Sequence, residues 1–424
     1  MILPEIKSGM RALVFGNGAS GKAADRLLKS RGVETLVLDG EDDIPQDSHF
    51  DFAVLSPGIP VSHRWCAECA EKGIPVAGEL ALGARFWRGR IVALTGSKGK
   101  SSVVRLIADT FNLAGLRATA CGNYGLPFSD VAFEEHGEDD WAIVETSSFQ
   151  MESVDKEDFH PELAGTVNFQ EDHLDRHGNI ETYHKCKLKL LESANLAFVP
   201  QGCVAMSGDG VLKACDMPGK VFEAEEVAED FFAGTYFGNS ILKRNAECAV
   251  ALMRAAGLGD DAISAGLKAF RPLPHRMCTI GEKDGVKFID DSKSTSLSSL
   301  AAAVRMAGEK GGIRLIAGGL PKGDNPKNAI KDLSESVKKV YLIGCCAEQF
   351  FEAWKNDVSC EICGTLDQAV DAVMRDVRGG ETVLLSPGAA SFDQFKSYGA
   401  RGDMFASLVR ARGVSVSADT EKRG

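Results

Sequence analysis

The chain has 424 residues, 44% of them hydrophobic and 25% charged, with a formal net charge of −12; this is the balance of a globular protein with ample core and two to four domains. Its acidity argues against a nucleic-acid binder, and an acidic chain that handles anionic substrates has to gather positive charge locally. No window approaches the roughly 20 apolar residues of a membrane span, no leader pattern opens the sequence, and twelve scattered cysteines suit a reducing cytoplasm.

Strand-like and helix-like stretches alternate throughout, which predicts an α/β protein with mostly parallel sheets. The first block, 1–89, opens with RALVFGNGASGKAADRLLKSRGVETLVLDG. This reads as strand, glycine turn, helix, strand. Gly16, Gly18 and Gly21 fit G-x-G-x-x-G, and Asp39 follows at about the spacing of a ribose-binding carboxylate. The next strand ends in AVLSPGIP, placing Ser56, Pro57 and Gly58 at a strand's C-terminal edge, where open α/β sheets bind ligands. Cys66 and Cys69, like Cys360 and Cys363, form CxxC pairs, but no His-rich partner accompanies them and they read as buried apolar thiols.

The second block, 90–272, opens with VALTGSKGKSSVVRLI. An apolar strand enters a glycine turn, a lysine, two serines and a helical apolar pattern. Leu94 occupies the leading glycine position of a full phosphate loop, so the motif is the shortened Gly96-x-x-Gly99-Lys100-Ser101. Backbone N–H groups at such a helix start cradle phosphate oxygens, the lysine neutralises them, and the serine hydroxyl binds Mg²⁺. WAIVETSSFQME is a further apolar strand, ending in Glu145, a carboxylate placed to hold Mg²⁺. His173 follows in the loop EDHLDRH, where a metal ligand and an ordinary surface histidine are equally good readings. Lys187, with Lys185 and Lys189 beside it, reads on spacing alone as a solvated helix lysine.

The third block, 273–424, repeats strand, loop and helix. Its loops hold His275 and Arg276 in PLPHR, Asp291, Lys293 and Thr295 in DDSKSTS, Lys322 in GGLPKG, and Ser391 to Tyr398. Such cations and hydroxyls suit carboxylate and phosphate recognition.

In order, TGSKGKSS, GNYG, ETSSFQ, NFQEDHLDRH, PLPHR, DDSKSTS and LSPGAASFDQFKSYGARG resemble the Mur ligase family, the ATP-dependent amino-acid ligases of peptidoglycan precursor synthesis. The resemblance covers nearly the whole chain and is strongest to the D-glutamate-adding branch. It implies three domains: a Rossmann-like UDP-substrate domain, a central P-loop-type mononucleotide-binding ATPase domain, and a Rossmann-like amino-acid domain. It implies D-glutamate ligation to UDP-N-acetylmuramoyl-L-alanine in the cytoplasm, by a monomer that uses ATP and two Mg²⁺ ions and takes neither nucleic acid nor membrane as partner. Cations from two domains would have to converge, so closure of the third domain is expected.

The resemblance also implies residue roles. Gly96, Ser97, Lys98, Gly99, Lys100, Ser101, Ser102, Asn245, Arg276 and Asp291 would bind ATP. Ala19, Ser20, Asp39, Ser56, Gly58, Asn123, Ser147 and Phe149 would bind the UDP-substrate, and Thr295, Lys322, Ser391 and Tyr398 the D-glutamate. Lys100, Glu145, His173, Lys187 and Lys293 would be catalytic; Ser101, Glu145, His173 and Lys187, as a carbamate, would hold metal. For Lys187 the resemblance alone overrides the solvated reading.

The sequence departs from the family pattern at Lys98, where an Asn is usual, at Arg244 and Cys248 in the adenine segment, at Ser296, and at Tyr398, where Phe is common. A relative adding another amino acid and a non-catalytic sensor on the same fold are the alternatives. An oxidoreductase is favoured only by Gly16 to Gly21 and leaves the second phosphate loop unexplained.

Overall fold

A computed structural model of the chain describes residues 2–46, 49–208, 210–238, 240–308, 312–321, 323 and 325–416. It divides into two compact units, Met1–Phe270 and Arg271–Gly424.

The first unit holds two parallel sheets. β1 (Arg11–Phe15), β2 (Glu34–Leu38), β3 (Phe52–Leu55) and β4 (Val76–Gly78) lie in the order β2-β1-β3-β4. β5 (Arg90–Thr95), β6 (Ala118–Gly122), β7 (Trp141–Glu145), β8 (Leu163–Thr166) and β9 (Leu196–Val199) follow. A hairpin, β10 (Ala205–Ser207) with β11 (Gly210–Leu212), precedes β12 (Val221–Glu223), and the second sheet runs β12-β9-β8-β5-β7-β6. Unbroken apolar runs such as Ile91 to Leu94 are buried on both faces, as parallel strands covered by helices require. One core joins the two sheets: Val14 and Phe52 belong to the same cluster as Trp87, Ala93, Phe128 and Val144. The boundary expected at 89/90 falls between the two sheets, directly before β5.

The second unit is a single mixed sheet. β13 (Cys278–Lys283), β14 (Val286–Asp290), β15 (Ile313–Gly318), β16 (Val337–Ile343), β17 (Cys360–Gly364), β18 (Thr382–Leu385) and β19 (Ser415–Val416) lie in the order β17-β16-β15-β18-β14-β13-β19. Among the described strands of this sheet, β13 pairs antiparallel with β14 and β19 and the other pairings are parallel. Alternate residues of β16 feed two cores: Val340 and Leu342 pack beside Trp354, whereas Tyr341 and Ile343 pack on the side of Phe405.

None of the twelve cysteines is in a disulfide, and Cys69 is buried. Burial pushes the Cys69, Cys360 and Cys363 thiols each up to about 11, the opposite of a reactive thiolate. Among the described residues no helix is long and apolar enough to cross a membrane.

Candidate active site

In parallel sheets each connection leaves a strand's carboxyl end and returns through a helix, so side chains just past neighbouring strands meet at one edge. In the first sheet, Gly16 follows β1, Asp39 follows β2 and Ser56 follows β3. Gly16 has φ +96°, a backbone shape that favours glycine. A Cβ on Gly21 would collide with the Gly16 carbonyl, and one on Gly16 would lie 3.0 Å from Ser56 Oγ. The glycines therefore let the helix Ala19–Ser30 start directly against the turn. Ser56 is nine-tenths buried and its Oγ has no hydrogen-bond partner, a state that normally marks a missing ligand or water. Asp39 is exposed, and its N–H donates to Asp42 Oδ2 at 2.9 Å. Ala19 and Ser20 occupy the first turn of the helix.

In the second sheet the shortened phosphate loop links β5 to the helix Lys100–Leu113. Gly96 and Gly99 have φ of +138° and +88°. A Cβ on Gly96 would strike Val167, and one on Gly99 would strike Asn245 Nδ2. Lys100 Nζ curls back and donates to the carbonyls of Gly96 at 2.7 Å and Ser97 at 3.3 Å. Ser101 and Ser102 are buried in the first turn. Glu145, at the end of β7, is buried: its Oε1 accepts from Asn123 Nδ2 at 2.8 Å, and its Oε2 has no partner. An orphaned carboxylate oxygen beside a phosphate loop suits a divalent cation. Mg²⁺ is usually held by one or two carboxylates together with water and phosphates; among the described residues no three His, Cys, Asp or Glu side chains cluster as a metal cage.

The structure overturns the solvated reading of Lys187. The side chain is 1% exposed, and Nζ donates to Gly96 O at 2.9 Å with the Tyr183 ring centroid at 4.2 Å. Burial, reinforced by the nearby Lys100 charge, pulls its pKa well below the ordinary lysine value. His173 has φ +52° and Nε2 3.7 Å from Asp172 Oδ2. Its ring lies 4.9 Å from that of Phe149. Ser147 caps the helix Ser148–Glu152 through a reciprocal box with Gln150.

Sequence reading missed the loop's main brace. Asn168 Oδ1 accepts from the N–H groups of Ser97 at 3.1 Å and Lys98 at 2.9 Å. Its Nδ2 donates to Lys98 O at 2.8 Å and to Asn245 Oδ1 at 3.3 Å. Tyr183 also donates, to Ser97 Oγ at 3.1 Å. The available signal was position: Asn168 lies just past β8, the neighbour of β5. Among the departures, Lys98 pairs with Asp172 at 3.0 Å. Arg244 lines a cavity of about 580 Å³ with Phe232 and Glu247. Cys248 is core: its Sγ faces Phe198 O at 3.6 Å, and a Cβ on Gly165 would lie 2.8 Å from it.

In the second unit, His275 and Met277 have φ of +63° and +47°, strained values of the kind that gather at functional sites. His275 Nδ1 lies 2.7 Å from Asp290 Oδ2, and Lys293 N donates to His275 O at 3.0 Å. Asp291 is buried; Ser386 Oγ donates to its Oδ2 at 2.9 Å and Met277 N to its Oδ1 at 3.2 Å. Burial outweighs these donors and raises the Asp291 pKa to about 7. Lys293 Nζ sits 4.0 Å from the Tyr398 ring centroid, bringing together two expected site residues. Arg276 is half-buried, Thr295 stands one residue before the helix cap Ser296, and Ser391 is buried. Arg401, fully buried and not anticipated, donates to the carbonyls of Ser292 at 3.0 Å and Ala389 at 3.1 Å. It thereby ties the loop after β14 to that after β18. Lys322 lies outside the described residues.

Comparison with known proteins matches residues 94–203 to the Mur ligase middle domain and 275–388 to the Mur ligase glutamate ligase domain. The chain is 34% identical to the UDP-N-acetylmuramoylalanine–D-glutamate ligase of Frankia casuarinae, across 96% of this chain and 95% of that protein. It is 33% identical to the Aquifex aeolicus protein of the same name, across 94% and 98%. Among solved structures it resembles MurF from Acinetobacter baumannii, with TM-score 0.60 and 16% identity over 96% of this chain and 93% of that one. It also resembles the UDP-N-acetylmuramate-alanine ligase MurC from Thermotoga maritima, with TM-score 0.56 and 15% identity over 95% and 99%. Full-length similarity to ligases, the paired family domains and the braced phosphate loop agree, and the chain belongs to the Mur ligase family.

Proposed function

We propose that this chain is an ATP-dependent ligase that joins D-glutamate to UDP-N-acetylmuramoyl-L-alanine through an acyl phosphate, acting as a cytoplasmic monomer in peptidoglycan precursor synthesis. One arrangement carries the reading: Lys100, the half-orphaned Glu145 carboxylate and buried Lys187 gather around a single phosphate loop. The choice of D-glutamate rests on the names of the relatives.

In the first step the substrate's terminal carboxylate oxygen attacks the γ-phosphorus of ATP, and ADP leaves. Lys100 and the loop N–H groups hold the phosphates in line. In the second step the amino group of D-glutamate attacks the acyl carbon, and the tetrahedral adduct collapses to amide and phosphate. Phosphorylation is needed because free carboxylate is a poor electrophile. Ser101, Glu145 and His173, with Lys187 as a carbamate, would hold two Mg²⁺ ions, which when bound neutralise charge on the transferring phosphoryl group.

Carbamylation suits the surroundings of Lys187. CO₂ reacts with the neutral amine, the form that burial favours. The amine nitrogen bonds the CO₂ carbon, one N–H proton leaves to solvent, and the product is an anion that accepts hydrogen bonds and attracts cations.

The remaining roles follow the family pattern. Ala19, Ser20, Asp39, Ser56, Gly58, Asn123, Ser147 and Phe149 would hold the UDP-substrate. Gly96 to Ser102 and Asn245 would hold ATP; Arg276, Asp291 and Lys293 would serve ATP and the acyl phosphate. Thr295, Lys322, Ser391 and Tyr398 would receive the amino acid.

The test is phosphate release from ATP with UDP-N-acetylmuramoyl-L-alanine and a panel of amino acids. Release that requires D-glutamate is expected. Release driven instead by L-alanine or a diamino acid, or none with any, would contradict the proposal.

A further inference from the structure

The short helix Leu174–His177 begins directly after His173, and its Arg176 reaches out of the second sheet's loops into the first sheet's. The guanidinium ties two other segments to its own helix. Nη1 donates to Pro57 O at 3.2 Å, and Nη2 to Ile59 O at 3.3 Å, both in the loop after β3. Nη2 also donates to Glu152 Oε2 at 2.6 Å, and Nε to the same carboxylate at 3.2 Å, on the helix after β7. The face of the group lies on Phe149, with Cζ 4.2 Å from the ring centroid. Phe149 in turn contacts the rings of His173 and His177. The side chains of Arg176 and Glu152 are only 16% and 13% exposed, so the ion pair is sheltered from salt and solvent competition.

Arginine is suited to this role because its planar fork fixes donor directions, so a carboxylate and two carbonyls must stand in set places to be served together. A shift of the Ser56–Ile59 loop has to be followed by the guanidinium, or its bonds are lost. The guanidinium is carried on the turn that His173 begins.

We propose that Arg176 is a positioning residue that couples the two ligand sites of the first unit, the UDP-substrate loop after β3 and the phosphate and metal loops of the second sheet. This inference rests on the proposed function. A ligand that fixes one loop also fixes that loop's bonds to Arg176, and the second ligand meets its loop already held in place. Such coupling is reciprocal: each ligand tightens the other by the same factor.

The test uses the full chain, UDP-N-acetylmuramoyl-L-alanine and a non-hydrolysable ATP analogue with Mg²⁺. The Kd of each is measured alone and with the other saturating. The wild-type chain is expected to show mutual tightening of at least about fivefold. In Arg176→Met the factor falls to roughly one, while each ligand alone still binds. Arg176→Lys, which keeps charge but loses the fork, restores only part of it. If Arg176→Met does not fold, Glu152→Gln reads the same coupling by removing the carboxylate that aims the guanidinium, and the factor falls there too. A purely structural pin would lower Tm and leave the coupling factor unchanged. An unchanged factor in the folded variants overturns the inference, as does a wild-type chain that binds both ligands independently. A wild-type chain that binds neither overturns the proposed function, and the coupling with it.

Discussion

Lys187 shows how much one side chain's surroundings decide. Lys185, Lys187 and Lys189 share the helix Ile180–Ser193, but Lys185 is exposed, Lys189 donates to Met151 O at 3.1 Å, and Lys187 alone of the three reaches Gly96 O. A buried ammonium without a counter-ion is costly, so burial favours the neutral amine. Lys187→Ala is expected to lose most ligase activity, on the order of a hundredfold or more. Lys185→Ala and Lys189→Ala are expected to stay within severalfold of wild type. Short carboxylates added to Lys187→Ala should recover part of the rate by replacing the missing anion. A fully active Lys187→Ala enzyme would return Lys187 to a packing role. Helical spacing could not reveal this, because the burial of Lys187 comes from the phosphate loop packed against its helix. Asn168 was hidden for a related reason: an asparagine after a strand is ordinary, and only the adjacency of β8 and β5 turns it into a brace.

At the scale of elements, the two sheets of the first unit are joined by the helices Glu79–Phe86 and Phe128–Phe133. Glu79 is fully buried; Ser129 N donates to its Oε1 at 2.6 Å, and Oε2 has no partner. Burial outweighs the Ser129 bonds and raises its pKa from 4.5 to about 7. The sign follows from proton linkage. Below about pH 4.5 folded and unfolded chains are both protonated here, and nothing is lost. Between pH 4.5 and 7 the unfolded chain ionises while the folded one keeps the proton, so this group's contribution falls as pH rises, then levels off. The full loss is on the order of 3 kcal/mol. Glu79→Gln keeps an acceptor for Ser129 and removes the ionisation. Its Tm relative to wild type is therefore expected to climb between pH 4.5 and 7 and to be flat above. A pH-independent difference would show that Glu79 titrates alike in both states. The phosphate loop was legible at this scale because its glycines are imposed by local geometry. Arg176 and Arg401 were not, because most of their partners are backbone carbonyls of other loops, which carry no sequence signature.

For the whole molecule, strand, loop and helix order was readable because continuous apolar runs bounded by glycine turns permit little else. The packing of one sheet's helices on the other's was less so. Blocks 1–89 and 90–272 each have a sheet, but Val14, Phe52, Trp87 and Phe128 sit in one core, and sequence patterning cannot say which apolar faces meet. The central claim is that the energy of ATP reaches the amide bond through an acyl phosphate on the UDP-substrate. That claim follows one oxygen atom. With UDP-N-acetylmuramoyl-L-alanine carrying ¹⁸O in its terminal carboxylate, the bridging oxygen stays with phosphorus when the amine displaces phosphate. Mass spectrometry of the phosphate released during turnover with ATP and D-glutamate should show one ¹⁸O per phosphate for each amide formed. Amide formed with unlabelled phosphate would contradict the account.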